Sequence, residues 1–243
     1  MPAAPTEAEY FDQLVADAGE FNPFTDRGWA TLARCFRRAA GDSTYRRLVD
    51  IGCGTGRSRS VYDGMVRQYV GLDLSFEAVR VATRHESGGQ WLQADALRLP
   101  LRSETADAVA FSSVLHHVPD IDAALTEARR VVVPGGLVFA FDPNVLHPAM
   151  LLFRHPRSPL YSQAGVSPHE RPLHPATARD AFARAGLTDV GQRCQSDIPY
   201  RRVAVPLLDR LLPAYNALDR AWERSGLARW MGTFVVTWGR RPA

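Results

Sequence analysis

The 243-residue sequence predicts an α/β protein built on a doubly wound, parallel sheet. Between residues 45 and 142, short apolar runs suited to buried strands alternate five times with helix-compatible segments. The first apolar run ends abruptly in a cluster of glycines, and an aspartate follows each of the next two runs. In a parallel sheet these features meet at one edge, beyond the carboxyl ends of the strands, where ligands bind.

The glycine cluster stands in residues 47–59, which read R-L-V-D-I-G-C-G-T-G-R-S-R. The apolar run Leu48–Ile51 predicts a strand, and the residues from about 57 to 66 are compatible with a helix. A strand that passes through glycines into a helix leaves backbone N–H groups without partners and without Cβ atoms in front of them. The loop is therefore a candidate cradle for a flat or anionic ligand, the alternative being a tight turn with no ligand.

Two phosphate-binding motifs do not match this loop. A P-loop requires a lysine after its glycines, and the sequence contains no lysine. The dinucleotide motif G-x-G-x-x-G needs its third glycine at position 57, where the sequence has Arg57, because Gly56 comes one residue early. This spacing also argues against a nicotinamide-dependent dehydrogenase.

The second and third predicted strands each end near an aspartate. Residues 68–75 form the second strand with Asp73 at its end, and the third strand begins near residue 91 and ends at Asp95. An acid at the tip of the strand that follows a glycine loop can accept hydrogen bonds from both hydroxyls of a ribose. We therefore expect Asp73 to bind a ribose rather than to serve only as a helix cap.

The fourth strand, residues 106–111, leads into S-S-V-L-H-H-V-P-D. Asp120 is a suitable N-cap for a helix over 121–131, and P-G-G at 134–136 predicts a turn into a fifth strand over 137–141. Asp142 follows that strand and completes the alternating pattern.

Before this core, residues 6–18 and 26–40 predict two helices in a region crowded with aromatic side chains. These aromatic residues either pack in the core of an N-terminal cap or form a lid over a ligand pocket. They are Tyr10, Phe11, Phe21, Phe24, Trp29 and Phe36.

After Asp142, periodicity disappears until about residue 175, over a stretch that holds Tyr161 and four histidines, His147, His155, His169 and His174. A long irregular segment is typically functional or disordered, and we expect a lid over the acceptor pocket rather than a plain surface insertion. The run from His169 to His174 does not match H-E-x-x-H, so no metal site is predicted.

The remaining chain predicts a helix over 176–185 capped by Gly186, a sixth strand over 187–194, an amphipathic helix over 205–230 and a final strand over 232–239. The amphipathic helix has three candidate partners: the body of the protein, a second copy in a homodimer, or a membrane surface. The last two are considered because Arg210, Arg220, Arg224 and Arg229 accompany its apolar residues.

The motifs D-I-G-C-G-T-G, G-L-D-L-S, Q-A-D-A, L-H-H-V-P-D and V-V-P-G-G, in this order, resemble class I S-adenosylmethionine-dependent methyltransferases that act on small molecules. The resemblance covers about residues 45–142. It implies a Rossmann-like sheet of seven strands, the last antiparallel, in a single methyltransferase domain over 1–243. Within it we expect an N-terminal helical cap (1–44), a cofactor-binding core (45–142), a lid-like insertion (143–175) and a C-terminal part (176–243).

The resemblance also implies the roles of individual residues. The glycine loop would hold the amino-acid end of S-adenosylmethionine, Asp73 the ribose and Asp95 the exocyclic amine of adenine. The implied cofactor-binding set is Asp50, Gly52, Cys53, Gly54, Gly56, Asp73, Leu74, Asp95, Ala96 and Ser112. The proton-handling histidine of phosphobase methyltransferases corresponds to His117, a candidate base, whereas His116 is expected to point inward. Catalysis by positioning alone is the alternative.

Composition and motifs restrict the class of acceptor and the cellular compartment that we expect. The formal charge is +3, the arginines are scattered, and S-S-V-L stands where amide and nucleic-acid methyltransferases carry [DN]-P-P-[YF], so no nucleic-acid partner is expected. Three distant cysteines, no long apolar run and no signal core predict a cytoplasmic protein. The function predicted is methyl transfer to an O, C or N atom of a small, largely apolar acceptor. The alternative is a catalytically silent cofactor-binding regulator or partner subunit.

Overall fold

The computed structural model describes residues 5–154, 157–158, 161, 166–202 and 209–243, and its strands form one seven-stranded sheet. In chain order the strands are β1 (Tyr45–Ile51), β2 (Val66–Asp73), β3 (Gly89–Gln93), β4 (Ala106–Ser112), β5 (Val132–Pro143), β6 (Thr188–Gln195) and β7 (Phe234–Arg240). Their order across the sheet is β3-β2-β1-β4-β5-β7-β6, and β7 alone runs in the direction opposite to the other six strands. The predicted Rossmann-like sheet with an antiparallel last strand is confirmed.

Helices lie on both faces of this sheet. They are α1 (Glu7–Ala18), α2 (Asp26–Ala40), α3 (Phe76–His85), α4 (Ile121–Val131), α5 (Pro148–Phe153), α6 (Pro175–Arg184), α7 (Leu212–Arg224) and α8 (Ala228–Met231). Side chains alternate along each strand, so Val49 packs in the layer with α4 and α6, whereas Leu48 packs with α2. The core therefore has two layers, and the site lies at the edge formed by the carboxyl ends of β1, β2, β4 and β5.

The connection between β1 and β2 differs from the prediction. Instead of a helix over 57–66, the chain forms one short 3-10 helix, Arg57–Val61. Ser58 in this helix and Tyr62 just after it turn inward: Ser58 donates to Asp50 at 2.7 Å, and the Tyr62 hydroxyl lies 2.7 Å from that of Ser112. Gly64, at φ +78°, then turns the chain towards β2. The buried hydrogen bonds decide the local structure here, against helical propensity.

Three further boundaries differ. The P-G-G segment lies inside β5, where the register with β4 shifts between Ala106 and Ala108. The stretch predicted to be irregular contains α5 (Pro148–Phe153). The amphipathic helix is divided into α7 and α8 by Gly226, at φ +78°. The part of that predicted helix over 205–208, and His155 in the preceding segment, lie outside the described residues.

The N-terminal aromatic residues divide between the core and the surface. Phe24, Trp29 and Phe36 are buried in the layer that covers one face of the sheet. Phe21 is exposed and Phe11 half-buried, and the two rings pack edge to face with centroids 6.1 Å apart. The cap is thus core on its inner side and open towards the glycine loop on its outer side.

Candidate active site

The glycine loop after β1 departs from ordinary backbone geometry at Gly52 and Gly54, with φ of +76° and +54°. A Cβ atom on Gly52 would stand 2.5 Å from Cβ of Val114, so the residue must be glycine for lack of space as well as for its φ. At Gly54 the nearest atom to such a Cβ would be Cδ1 of Phe21, at 4.0 Å. The loop therefore presents open space at Gly54, beneath the ring of Phe21.

Asp73, at the end of β2, joins this loop. Its Oδ2 accepts a hydrogen bond from the N–H of Gly54 at 2.8 Å, and its Oδ1 accepts one from the N–H of Ser75 at 2.9 Å. Burial raises the pKa of Asp73, although the two backbone N–H groups oppose that shift. Each carboxylate oxygen keeps further acceptor capacity, which matches the two hydroxyl donors of a ribose.

Asp95 stands two residues beyond β3, next to β2 in the sheet. Its Oδ1 accepts the N–H of Leu97 at 2.9 Å, and the residue is exposed. Ala96 is half-exposed, and Leu74, after Asp73, is exposed. Asp73, Leu74, Asp95 and Ala96 thus lie at neighbouring strand ends, as predicted. Oδ2 of Asp95 makes no hydrogen bond among the described residues.

Asp50 and Ser112 occupy a different environment from that expected of ligand-contacting side chains. Asp50 is completely buried, and its carboxylate accepts hydrogen bonds from the hydroxyls of Ser58, Tyr69 and Ser112 at 2.7, 2.6 and 2.6 Å. Burial raises the pKa of Asp50 to about 6, with these hydroxyls opposing the rise. Both side chains thus stabilise the floor of the loop.

Cys53 is similarly turned inward. Its thiol packs against Gly71, where an added Cβ would lie 2.9 Å from the sulfur, and burial raises its pKa well above the usual value. A contact between residue 53 and a ligand above the loop would therefore be made by backbone atoms. Gly56, at φ +94°, ends the loop with Glu86 close to its Cα.

The segment after β4 brings a strained residue and two histidines to the site. Ser113 has a φ of +57°, unusual for a residue with a side chain, and its N–H donates to the carbonyl of Phe141 at 2.9 Å. His116 is buried, as predicted, and both its backbone N–H and its Nδ1 contact Oδ1 of Asp142, at 3.1 and 2.8 Å. Burial raises the pKa of Asp142 and lowers that of His116, so the pair anchors this segment to β5 with His116 neutral.

His117 has two partners that sequence reasoning did not find. Its Nδ1 lies 2.8 Å from Oε1 of Glu7, in α1, and 2.8 Å from Oγ of Ser167. Glu7 also accepts hydrogen bonds from the hydroxyl of Ser167 and, at 3.0 Å, from the N–H of His169. Burial alone would raise the pKa of Glu7, but the hydrogen bonds from His117, Ser167 and His169 outweigh it and the pKa is lowered.

The same helix is attached at the other side of the site through Asp12. Its Oδ1 accepts hydrogen bonds from the hydroxyl of Ser75 at 2.6 Å and from the N–H of Glu77 at 3.0 Å. Between Glu7 and Asp12, the ring of Phe11 packs edge to face against that of His117, with centroids 5.1 Å apart. Helix α1 therefore spans the site from the end of β4 to the start of α3.

A cleft of about 320 Å³ lies elsewhere, between α2 and the 3-10 helix Arg57–Val61. Its walls carry acids and arginines in equal number, including pairs of Arg57 with Glu86 at 3.7 Å and with Asp26 at 3.9 Å. It contains neither Asp73 nor His117, so we assign it no part in the chemistry. Within the described ranges, no three His, Cys, Asp or Glu side chains are grouped to hold a metal ion.

Comparison with known proteins relates the β1–β5 part of the chain to a described family. A sequence profile for the methyltransferase domain matches residues 49–140, the span from β1 through β5 that carries the glycine loop, Asp73, Asp95 and His117. The chain carries, over residues 49–140, a methyltransferase domain of the class I S-adenosylmethionine-dependent type. It is an enzyme, and S-adenosylmethionine is its cofactor.

Curated relatives agree with this assignment, and a solved structure shares the fold. The methyltransferase is 26% identical over 203 residues to the ubiquinone biosynthesis O-methyltransferase of Rhizobium etli, covering 81% of this chain and 73% of that protein. It is 30% identical over 155 residues to the 2-phytyl-1,4-naphtoquinone methyltransferase of Synechocystis, covering 58% and 64% of the two chains. Phosphoethanolamine N-methyltransferase 2 of Haemonchus contortus, solved with S-adenosyl-L-methionine, shares the fold with a TM-score of 0.71 at 17% identity, over 99% of this chain and 61% of that one.

The residues at the site fit this cofactor. The open space at Gly54 can take the amino-acid end, Asp73 has acceptor capacity for two ribose hydroxyls, and Oδ2 of Asp95 can accept from the adenine amine. Among the described residues, no helix is long and apolar enough to cross a membrane.

Proposed function

We propose that this methyltransferase methylates a hydroxyl oxygen of a small, largely apolar molecule, of the quinone-like or lipid-linked kind, and that His117 is the base. The observation that carries the proposal is the environment of His117. Its Nδ1 is bound by Glu7 and Ser167, and Phe11 packs against its ring. The proposal also includes the cofactor contacts of the glycine loop, Asp73 and Asp95.

The partners of His117 set its tautomer. With a carboxylate 2.8 Å from Nδ1, the proton of a neutral imidazole belongs on Nδ1, which leaves Nε2 with a free lone pair. Burial and the neighbouring His116 lower the pKa of His117, although Glu7 opposes them. A lowered pKa keeps the ring neutral near pH 7, and a neutral ring can accept a proton.

When bound, S-adenosylmethionine supplies an electrophilic methyl group on a sulfonium sulfur. In the proposed reaction Nε2 of His117 would accept the proton of the acceptor hydroxyl, and the hydroxyl oxygen would take the methyl group from the sulfonium, with S-adenosylhomocysteine as the leaving group. Glu7 stabilises the imidazolium that results. The His116–Asp142 contact holds the segment that carries the base.

Aromatic side chains on the side of the site where the acceptor would bind support an apolar acceptor. Phe11 and Phe21 face the loop and His117, and the described parts of the insertion over 143–175 reach it through Ser167 and His169. We propose that the N-terminal cap and this insertion together form the acceptor pocket, within a single methyltransferase domain. The quinone-related names of the two curated relatives point to the same class of acceptor.

The experiment combines a binding and a turnover measurement. Calorimetry with S-adenosylhomocysteine tests the cofactor site, with Asp73→Ala as the variant. Mass spectrometry then follows transfer of an isotopically labelled methyl group to a panel of hydroxylated benzoquinols, naphthoquinols and long-chain fatty acids. We expect binding, and a labelled methyl ether or ester from at least one apolar hydroxyl compound.

Other outcomes decide against the proposal. Cofactor binding without a methylated product, from the panel or from extracts of the source organism, would favour a silent cofactor-binding protein. Product formation on a ring carbon or an amine would place methylation on C or N. Full turnover by His117→Ala would remove His117 as the base and leave catalysis to positioning.

A further inference from the structure

Helix α7 (Leu212–Arg224) has its polarity reversed relative to an ordinary surface helix. Three of its polar residues face the protein. Asn216 exchanges two hydrogen bonds with the backbone of Tyr200, at 3.0 and 2.9 Å. Asp219 is buried and accepts the hydroxyl of Thr233 and the N–H of Asp197. Glu223 accepts from the N–H of Ser196 at 2.8 Å. These three residues are spaced at i, i+3 and i+7, so they lie on one face of the helix, which is turned towards the protein.

The outward face of this helix is apolar. Every exposed residue between positions 211 and 221 is a leucine, proline or alanine, and Leu218 is 71% exposed. The set is Leu211, Pro213, Ala214, Ala217, Leu218 and Ala221. Two more exposed apolar residues, Leu227 and Trp230, follow beside α8. A surface helix normally shows its polar side to water, so this arrangement indicates an apolar environment outside the protein.

The rim of this surface is positively charged. Arg210, Arg224 and Arg229 are exposed, and none of them forms an ion pair with a described residue. The guanidinium of Arg229 lies over the ring of Trp230, 5.5 Å from its centroid. Of the acidic residues between 209 and 231, Asp219 and Glu223 accept hydrogen bonds on the inner side of the helix, and Asp209 is half-buried.

The apolar outward face and its arginine rim together indicate what kind of partner binds there. A second copy related by a two-fold axis would bring the two arginine rims towards each other, which is unfavourable. An anionic lipid surface offers negative headgroups for the arginines, an acyl region for Leu211 and Leu218, and the interfacial layer that tryptophan prefers. We infer that the outward face of α7 and α8 docks the enzyme on anionic membranes.

The outward face of α7 and α8 lies near the candidate active site. Tyr215 and Asp219 on α7 contact His147, with a ring-centroid distance of 6.1 Å and a distance from Nε2 to Oδ1 of 3.6 Å. His147 follows the carboxyl end of β5, whose Pro143 pairs with Phe234 at the start of β7. The docking face therefore adjoins the edge of the sheet that carries the site. Docking does not depend on the acceptor proposed above, although a lipid-dissolved acceptor would be delivered there.

The test is flotation of the full chain with vesicles of phosphatidylcholine, with and without phosphatidylglycerol. We expect binding to the anionic vesicles only, weakened by added salt. Leu218→Glu should lower the partition coefficient at least tenfold, because it removes a leucine from the acyl region and adds a negative charge. The triple variant Arg210→Glu, Arg224→Glu, Arg229→Glu should lower it by a similar factor.

The charge-matched control is Arg46→Glu, Arg67→Glu, Arg102→Glu, which changes three exposed arginines at the amino-end edge of the sheet. It should keep most of the binding. Circular dichroism and calorimetry with S-adenosylhomocysteine should give wild-type results for all variants, which separates lost docking from lost folding. Absence of binding by the wild type, or equal binding by Leu218→Glu, would overturn the inference. A dimer in sedimentation velocity that Leu218→Glu dissociates would assign the face to a second copy instead.

Discussion

The carboxylate Oε1 of Glu7 lies 2.8 Å from Nδ1 of His117 and connects the first helix to the segment after the fourth strand. Ser167 contacts both residues, so three distant parts of the chain meet at one imidazole. The arrangement explains why α1 lies across the site. It also gives the proposed base an orienting partner.

Replacing Glu7 tests that relationship. Glu7→Gln removes a negative charge that raises the pKa of His117, so the pKa of the proposed base should fall further. The acidic limb of the kcat/KM profile should then move to lower pH, and loss of the fixed tautomer should lower kcat about tenfold or more. The measurement is a pH–rate profile with any accepted substrate, paired with calorimetry to show unchanged S-adenosylhomocysteine affinity. An unshifted acidic limb would argue against His117 as the titrating group.

Asp73 can be tested without an acceptor. Asp73→Ala removes the acceptor proposed for the ribose hydroxyls, a loss of about 2–3 kcal/mol, or roughly 30- to 140-fold in Kd for S-adenosylhomocysteine. The matched control is Asp63→Ala, because that carboxylate is 62% exposed and has only a 3.9 Å contact with Arg59. Wild-type affinity in Asp73→Ala, by calorimetry, would refute the proposed ribose contact.

Two glycines of the loop should respond differently to the same substitution. Gly52→Ala places a Cβ against Val114 at a positive φ, and we expect a loss of about 2–4 kcal/mol in the free energy of unfolding. Gly54→Ala meets open space, so it should cost only about 1–2 kcal/mol for its φ. Its methyl group would instead obstruct the ligand and raise the Kd of S-adenosylhomocysteine more than tenfold. Urea unfolding and calorimetry of both variants separate these effects, and similar behaviour of the two would contradict the proposed cradle.

Asp50 should impose a pH dependence on stability. Its pKa is raised to about 6 in the folded protein from about 4 in the unfolded chain, so the folded state binds its proton more tightly. The stabilisation from this proton is present at low pH and is lost as the pH rises from about 4 to about 6, up to about 3 kcal/mol. In Asp50→Asn this contribution is absent.

The measurement is the difference in unfolding free energy between the wild type and Asp50→Asn across that pH window, without cofactor. We expect the wild type to lose stability relative to the variant as the pH rises, and then a plateau above about 7. A difference that does not change with pH would show that the pKa of Asp50 is the same in the folded and unfolded states.

Local sequence was sufficient for the regular elements of the cofactor-binding edge. The apolar residues Leu48, Val49 and Ile51 specified a buried strand, and the glycines after them specified a loop. The structure has both. Where long-range hydrogen bonds compete with propensity, the prediction was wrong. The residues from 57 to 66 looked helical, but Ser58 and Tyr62 instead turn to the buried Asp50 and Ser112.

The sequence by itself determined the fold class, the glycine loop and the strand-end acids, because these depend on short-range patterns of apolar residues, glycines and aspartates. Only the tertiary structure decided the surroundings of the proposed base and the direction in which α7 faces. Glu7 and Ser167 are 160 positions apart and carry no motif, and Asn216, Asp219 and Glu223 resemble an ordinary solvent-facing stripe. Their partners are set by packing between distant segments, which no local pattern records.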